Sequence, residues 1–341
     1  MPDAPTPSEG LVPTHTTAAS SSVAQWVNEH YGLRLAQCHL IRRGLNDNYA
    51  LRSNDGVRHV ARLYSIRPRG GLNIDFETAL LAHLAARGAG VAAAVETSGG
   101  ASWVSLHFPE GARALALFEH ADGTTPETLE DFELTGAELG RIHRAARDYA
   151  GPPSRYELDG DHLAGRTLAY LRAYPEMDAE LLASYELLVG GLLEELAAAE
   201  EGLTRVVCHG DTHGYNNHVR VGPDGKRSTV FFDFDDAGPG FLSYDLSVMP
   251  WSYLLRKGLK EPDDALRERW ARYLGGLRAE DAGPSTRDLA ALPLFIQLRH
   301  LWNIGEAAGR LHHWGTNNVS IDWLRKQLEM FEAWKKLTLA A

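Results

Sequence analysis

The spacing of apolar residues divides the chain near residue 120. Before that point, short apolar runs cover residues 37–42, 49–52, 58–64, 91–95, 101–108 and 113–118. Runs of this length, bounded by Gly, Pro, Asn and Asp, predict strands. Asn54-Asp55-Gly56, Gly99-Gly100 and Pro109-Glu110-Gly111 are turn signals between them, so the runs predict a small antiparallel sheet. Two segments in this half have helical spacing instead. Residues 23–31 put Val23, Trp26, Val27 and Tyr31 on one face behind a Ser22 cap. Residues 73–87 have an apolar side of Ile74, Leu80, Leu81 and Leu84, and Gly88 stops them. Beyond Thr124 the pattern is mainly helical, with helices expected over residues 132–146, 163–174, 177–199, 251–255, 265–274, 286–309 and 320–337. Residues 1–22, rich in Pro, Ser, Thr and Ala, predict a flexible arm.

Composition narrows the class. With 341 residues, 44% of them hydrophobic and 23% charged, the chain can bury a large core without disulfide staples. Its two cysteines, Cys38 and Cys208, sit at the edges of apolar runs and predict buried free thiols. No stretch approaches the roughly 18–20 apolar residues of a membrane span, and no signal peptide is visible, so the cytoplasm is the expected location. The net charge of −11 argues against a nucleic-acid partner. It suits a cationic small substrate, although solubility alone accounts for it.

The densest chemistry lies in residues 206–247, VVCHGDTHGYNNHVRVGPDGKRSTVFFDFDDAGPGFLSYDLS. Apolar runs at 204–208, 217–221 and 228–232 predict strands, the last two joined by the turn Pro223-Asp224-Gly225-Lys226. The hairpin folds Asp233 back towards Asp211 and Asn216. Three oxygen-bearing side chains on two adjacent loops suit a hard cation such as Mg²⁺. Phosphoryl transfer uses such an ion and a carboxylate beside the attacking hydroxyl.

His209-Gly210-Asp211, then Asn216 after four residues, then Asp233-Phe234-Asp235 resembles the catalytic and metal loops of protein kinases. Gly210 and Asp235 depart from the protein-kinase form. With Gly240 and Tyr244-Asp245-Leu246, they resemble the aminoglycoside phosphotransferase family, which includes choline and homoserine kinases. The likeness continues in GLNDNYALR at residues 44–52 and HVARLY at residues 59–64.

The resemblance implies an α+β, bilobal protein-kinase-like fold. Residues 23–121 would form a nucleotide-binding N-lobe around a small antiparallel sheet. Residues 122–341 would form a mainly helical C-lobe holding the catalytic loop and the acceptor pocket. It also implies ATP, with GTP as the alternative, and Mg²⁺. The acceptor would be a small hydroxylated molecule such as an aminoglycoside, an amino alcohol or a homoserine-like compound. Asp211 would accept the hydroxyl proton, His213 would touch the transferring phosphate, and Asn216 and Asp233 would hold the metal. Gly44, Asn46 and Asn48 would cover the phosphates. Arg62, at the position of the protein-kinase lysine, would steady them with Glu77. Glu119 and Ala121 would meet adenine through hinge backbone groups. His209 and Asp245 would brace the catalytic loop, and His143 would be a packed core histidine. Tyr253, His300, Trp302 and Trp323 on the C-terminal helices would either hold a cationic ligand or pack the core. Two other readings remain open at this point. One is a protein Ser/Thr kinase of the stress-response type. The other is a catalytically silent nucleotide-binding regulator, since Arg62 replaces the lysine.

Overall fold

The structure, a computed structural model, describes residue 11, residues 13–66 and residues 73–339. These residues group into two compact units. One takes the described residues through Ile66 together with Ala94–His120, and the other takes Asn73–Ala93 with Ala121 onward. The helix after the third strand, expected in the N-lobe, thus groups with the second unit.

In the first unit, helix α1 (Ser20–Tyr31) precedes strands β1 (Leu35–Arg43), β2 (Asp47–Ser53) and β3 (Arg58–Leu63). Strands β4 (Ala94–Val95), β5 (Val104–Phe108) and β6 (Gly111–Glu119) complete an antiparallel sheet ordered β1-β2-β3-β6-β4, with β5 also on β6. Alternation decides the faces. On β2, Asp47, Tyr49, Leu51 and Ser53 are buried, and Tyr49 and Leu51 join Val23, Val27 and Tyr31 of α1 in one core. The expected strand 91–95 is cut to its last two residues. Val91 instead forms a parallel bridge to Phe231, and Ala92 N donates to the Phe231 carbonyl at 2.9 Å, within the second unit.

The expected flexible arm is bonded to the sheet within its described residues. Residues 1–10 and 12 lie outside the described residues, but residues 15–18 are tied to the sheet. His15 Nε2 meets the Asp47 carboxylate at 3.0 Å, Thr16 bonds Glu110 through its N–H at 2.8 Å and its hydroxyl at 2.6 Å, and Tyr49 donates to the Ala18 carbonyl at 2.7 Å. The buried Arg113 organises this corner. It donates to Asp47 at 2.9 Å, to the Tyr64 carbonyl at 2.8 Å and to the Thr16 carbonyl at 2.5 Å. Polar composition predicted a loose segment because these partners are distant in sequence. Helix α1 starts at Ser20, ahead of the expected Ser22 cap, with no side-chain cap.

The second unit opens with α2 (Ile74–Ala86) and α3 (Leu129–Ala145), the latter started by a capping box between Thr128 and Asp131. A wide helical turn at Asp161–Gly165 leads into α4 (Arg166–Arg172), so the expected helix 163–174 is split by conformation. Asp178 caps α5 (Ala179–Ala199). Four short strands come next: β7 (Arg205–Cys208), β8 (Asn217–Val221), β9 (Arg227–Phe231) and β10 (Gly238–Phe241). β8 pairs with β9 and β7 pairs with β10, both antiparallel.

Helix α6 (Leu242–Lys257) grows directly out of β10, so the expected helix 251–255 is only its last part. Pro250 inside it disguised the length, since proline usually ends a helix. Asp263 caps α7 (Asp264–Ala279). The expected helix 286–309 is two, α8 (Thr286–Ala290) and α9 (Leu292–Ala308), broken at Ala291 before the helix-initiating Pro293. Helices α10 (Leu311–Trp314) and α11 (Ile321–Trp334) end the unit. α9 is buried nearly all round, and its Phe295, Leu298 and Leu301 are the centre of the core.

Candidate active site

β7 ends at Cys208, whose buried thiol donates to the Phe241 carbonyl at 3.4 Å, in keeping with an unreactive packing role. The loop after it is seated by Asp245 in the first turn of α6. The Asp245 carboxylate accepts the His209 and Gly210 N–H groups, each at 2.8 Å, and its carbonyl accepts the Thr212 hydroxyl at 2.6 Å. His143 of α3 donates to the same carboxylate through Nε2 at 2.8 Å, because an ionised carboxylate can only accept. Burial works against a charge on Asp245. The His143 hydrogen bond and the N–H donors outweigh it and hold the carboxyl below its ordinary range.

Asp211 is held at both oxygens. Oδ1 accepts Arg299 Nη2 at 2.5 Å, Oδ2 accepts Asn216 Nδ2 at 2.9 Å, and His213 Nε2 stands 3.4 Å from Oδ2. Burial raises its pKa, but the Arg299 guanidinium and His213 pull it down to about 2, so Asp211 is a carboxylate at neutral pH. His213 Nδ1 accepts the Tyr215 N–H at 3.1 Å, which leaves the proton on Nε2, towards Asp211.

His209 joins this loop to the next. Its Nδ1 accepts the Asp211 N–H at 3.2 Å, its Nε2 donates to the Phe232 carbonyl at 3.1 Å, and its ring lies 4.2 Å from that of Phe234. Burial depresses its pKa, so the bridging imidazole is neutral.

The hairpin does the rest. Asn217 is paired with Phe231, and Phe232 N donates to the Asn216 carbonyl at 3.0 Å, extending the ladder by one step. Asp233 is the next residue, and its φ of 69° turns the chain out of β9 beside Asn216. Aspartate tolerates this left-handed conformation better than most residues. Asn216 gives its amide nitrogen to the carbonyl and carboxylate of Asp211, which leaves its amide oxygen for other partners. One amide oxygen and one carboxylate are a hard-oxygen set, suited to a cation completed by water and phosphates. Among the described residues, no three His, Cys, Asp or Glu side chains converge as a closed metal cage.

The other expected site residues are spread over both units. Gly44 and Asn46 form the β1–β2 turn, where Asn46 Oδ1 accepts the Ser65 N–H at 3.2 Å, and Asn48 is on β2. Arg62 is on β3, its guanidinium 5.1 Å from the Phe118 ring and 5.6 Å from the Tyr64 ring. Glu119 ends β6, and the Ala121 carbonyl accepts His218 Nδ1 at 2.8 Å. Glu77 is buried in the first turn of α2. Of the C-terminal aromatics, His300 is core, packed against Phe331 and Trp334, while Tyr253 donates to Asp263 at 3.0 Å.

Arg299 was not foreseen. Its guanidinium lies between the indoles of Trp251 and Trp302, at 4.6 and 4.2 Å from their centroids, and donates to the Gly210 carbonyl and the Tyr244 oxygen, both at 3.1 Å. The available signal was a lone cation inside the apolar run LPLFIQLRHLW, since arginine is rarely buried without a partner.

An antiparallel-sheet unit and a mainly helical unit, the second with an aspartate loop tied by a hairpin to an Asp-Phe-Asp loop, define the protein-kinase-like phosphotransferases. Residues 40–284 match the family described as the APH phosphotransferase enzyme family, and the chain belongs to it. It is a phosphotransferase of the kinase type, with an alcohol group as acceptor. An uncharacterized protein of Deinococcus radiodurans is 34% identical over 324 residues, covering 94% of this chain and 92% of that one. An amicoumacin kinase solved in complex with AMP-PNP, Ca²⁺ and Ami shares the fold at a TM-score of 0.72 and 20% identity, with 93% of each chain covered. A microcompartment-associated aminopropanol kinase does so at a TM-score of 0.66 and 20% identity, covering 92% of this chain and 95% of that one.

Proposed function

We propose that this enzyme moves the γ-phosphoryl group of ATP to a hydroxyl of a small, amine-bearing molecule, with Asp211 as the group that receives the hydroxyl. The observation that carries the reading is the Asp211 carboxylate, fixed at both oxygens and hydrogen-bonded to Asn216, whose partner across the hairpin, Phe232, immediately precedes Asp233. The fold is shared with kinases named for amicoumacin and for aminopropanol, which supports an amino alcohol or aminoglycoside-like acceptor. No described helix is long and apolar enough to cross a membrane, and we place the enzyme in the cytoplasm with its nucleotide.

The acceptor oxygen bonds to the γ-phosphorus as the bond to the β,γ-bridging oxygen breaks. ADP leaves with that electron pair, and the hydroxyl proton passes to Asp211 and then to solvent. A carboxylate with a pKa of about 2 is a weak base, so Asp211 works first by aiming the hydroxyl and takes the proton late. Asn216 and Asp233 would hold Mg²⁺, which when bound neutralises charge on the phosphates. His213 adds a proton-bearing nitrogen beside the transfer path, and Arg62 with Glu77 keeps the phosphate-steadying role that the family resemblance implies.

The test is turnover of Mg–ATP against amino alcohols, amino acids, sugars and aminoglycosides by wild type, Asp211→Asn and Asp233→Ala. Loss of a preorganised charged group in such a site costs about 10²–10³-fold or more. A folded Asp211→Asn protein with an undiminished rate ends this assignment. Nucleotide binding by wild type with no turnover on any acceptor would favour a silent regulator instead.

A further inference from the structure

Arg299 lies 88 residues from Asp211 in sequence and yet bonds one oxygen of its carboxylate. Five contacts hold the guanidinium: Asp211 Oδ1 at 2.5 Å, the Gly210 carbonyl at 3.1 Å, the Tyr244 oxygen at 3.1 Å, and the Trp251 and Trp302 indoles. Its Nε is buried and bonded to nothing among the described residues. A buried unpaired donor is unfavourable. The group is therefore oriented for its terminal nitrogens, and the orientation that suits Asp211 and Gly210 prevails over the needs of Nε.

We propose that Arg299 is the positioning residue of the reaction: its planar fork fixes the rotation of the Asp211 carboxylate and so sets the direction in which its remaining lone pairs meet the acceptor hydroxyl. This rests on the reading of Asp211 given above. The remaining contacts of the carboxylate agree with it. Oδ2 accepts from Asn216 at 2.9 Å, with His213 farther off at 3.4 Å, and Oδ1 accepts from Arg299 at 2.5 Å, so each oxygen is held by a donor of its own and the carboxylate cannot turn without losing one. The Gly210 carbonyl and the Asp211 carboxylate are both bonded to the same guanidinium, so main chain and side chain of the loop are set together. A lysine could supply the charge but not the paired donors, nor the flat surface that two indoles clamp.

The slot between Trp251 and Trp302 makes the proposal testable by chemical rescue. Arg299→Ala leaves a planar cavity that guanidinium ion fits and ammonium and urea do not satisfy. Turnover is read with the acceptor that the panel identifies or, without one, as slow transfer of phosphate from Mg–ATP to water. We expect kcat to fall about 100-fold in Arg299→Ala, with the KM for ATP within about threefold, since a 1 Å misplacement costs on that order. Millimolar guanidinium should restore at least tenfold, saturably, while equal ammonium or urea should not. Arg299→Lys, which keeps the charge and guards against a failure of the alanine protein to fold, should also lose kcat with ATP KM unmoved. A wild-type kcat in Arg299→Lys or Arg299→Ala overturns the inference, as does rescue by ammonium equal to that by guanidinium. If Asp211→Asn is inactive while the Arg299 variants are not, only this inference falls. If all of them are active, the Asp211 reading falls with it.

Discussion

Gly210 occupies the place where the Asp211 loop presses on the Asp233–Asp236 loop, and replacing it with alanine tests that contact directly. Its φ is 85°, a conformation that costs an L-residue about 1–2 kcal/mol. A Cβ there would stand 2.2 Å from the Asp236 carbonyl oxygen and 2.8 Å from its carbon, where ordinary contact begins near 3.4 Å. The two loops must part by about 1 Å. Asp245 holds the Gly210 N–H on one side and the His209 bridge to Phe232 ties the loops on the other, so parting them weakens at least one bond. A hydrogen bond to a charged group contributes about 1.5–3 kcal/mol. Together these give a loss of about 3–5 kcal/mol for Gly210→Ala, with turnover reduced about 100-fold in the protein that remains folded, because Asp211 follows Gly210. Gly225→Ala at the hairpin tip is the matched control. It has φ of 78° but nothing within 4 Å of a new Cβ, so it should cost about 1–2 kcal/mol and leave turnover alone. Urea denaturation and ATP turnover measure both. A Gly210→Ala protein within about 0.5 kcal/mol of wild type and fully active would show that the two loops do not bear on each other as described.

Two further outcomes concern stability. Arg113→Met should destabilise by about 3–5 kcal/mol by urea denaturation, since it strands the buried Asp47 carboxylate and releases the Thr16 carbonyl. A loss below about 1 kcal/mol would mean that Asp47 is held by other means. Burial pushes His300 down to about 3, below the ordinary histidine value near 6.5. The unfolded chain then binds a proton that the folded chain refuses, so this residue makes stability fall as pH drops from 6.5 towards 3, by about 1.4 kcal/mol per unit. His300→Gln should flatten urea stability between pH 6 and 4 by that slope, and an unchanged slope would place the titration elsewhere.

The loops and hairpin of residues 206–236 were legible because every signal there is local. Two apolar runs, a Pro-Asp-Gly turn and fixed spacings put Asn216 and Asp233 on adjoining ends. Residues 238–257 were harder to read. β10 is Gly-Pro-Gly-Phe, which resembles a loop, and becomes a strand only because β7 offers it a partner. Pro250 hides the length of helix α6 in the sequence, and its cost is absorbed where the helix is buried on all sides. Arg299 and Arg113 escaped for one reason. A buried cation is defined by its partners, and those partners lie 88 and 66 residues away. The N-terminal segment shows the converse, since its polar composition describes the residues and not the arginine waiting for their carbonyls.

The seat of the catalytic loop has a consequence for how such enzymes diversify. Asp245 grips residues 209 and 210 by their peptide groups, which every amino acid but proline supplies. Gly214, with open space around a new Cβ, and the exposed Tyr215 carry no comparable burden, so they can drift towards new acceptors while the anchorage stays intact. A lineage built this way inherits its chemistry through the main chain and explores its diet through a few side chains.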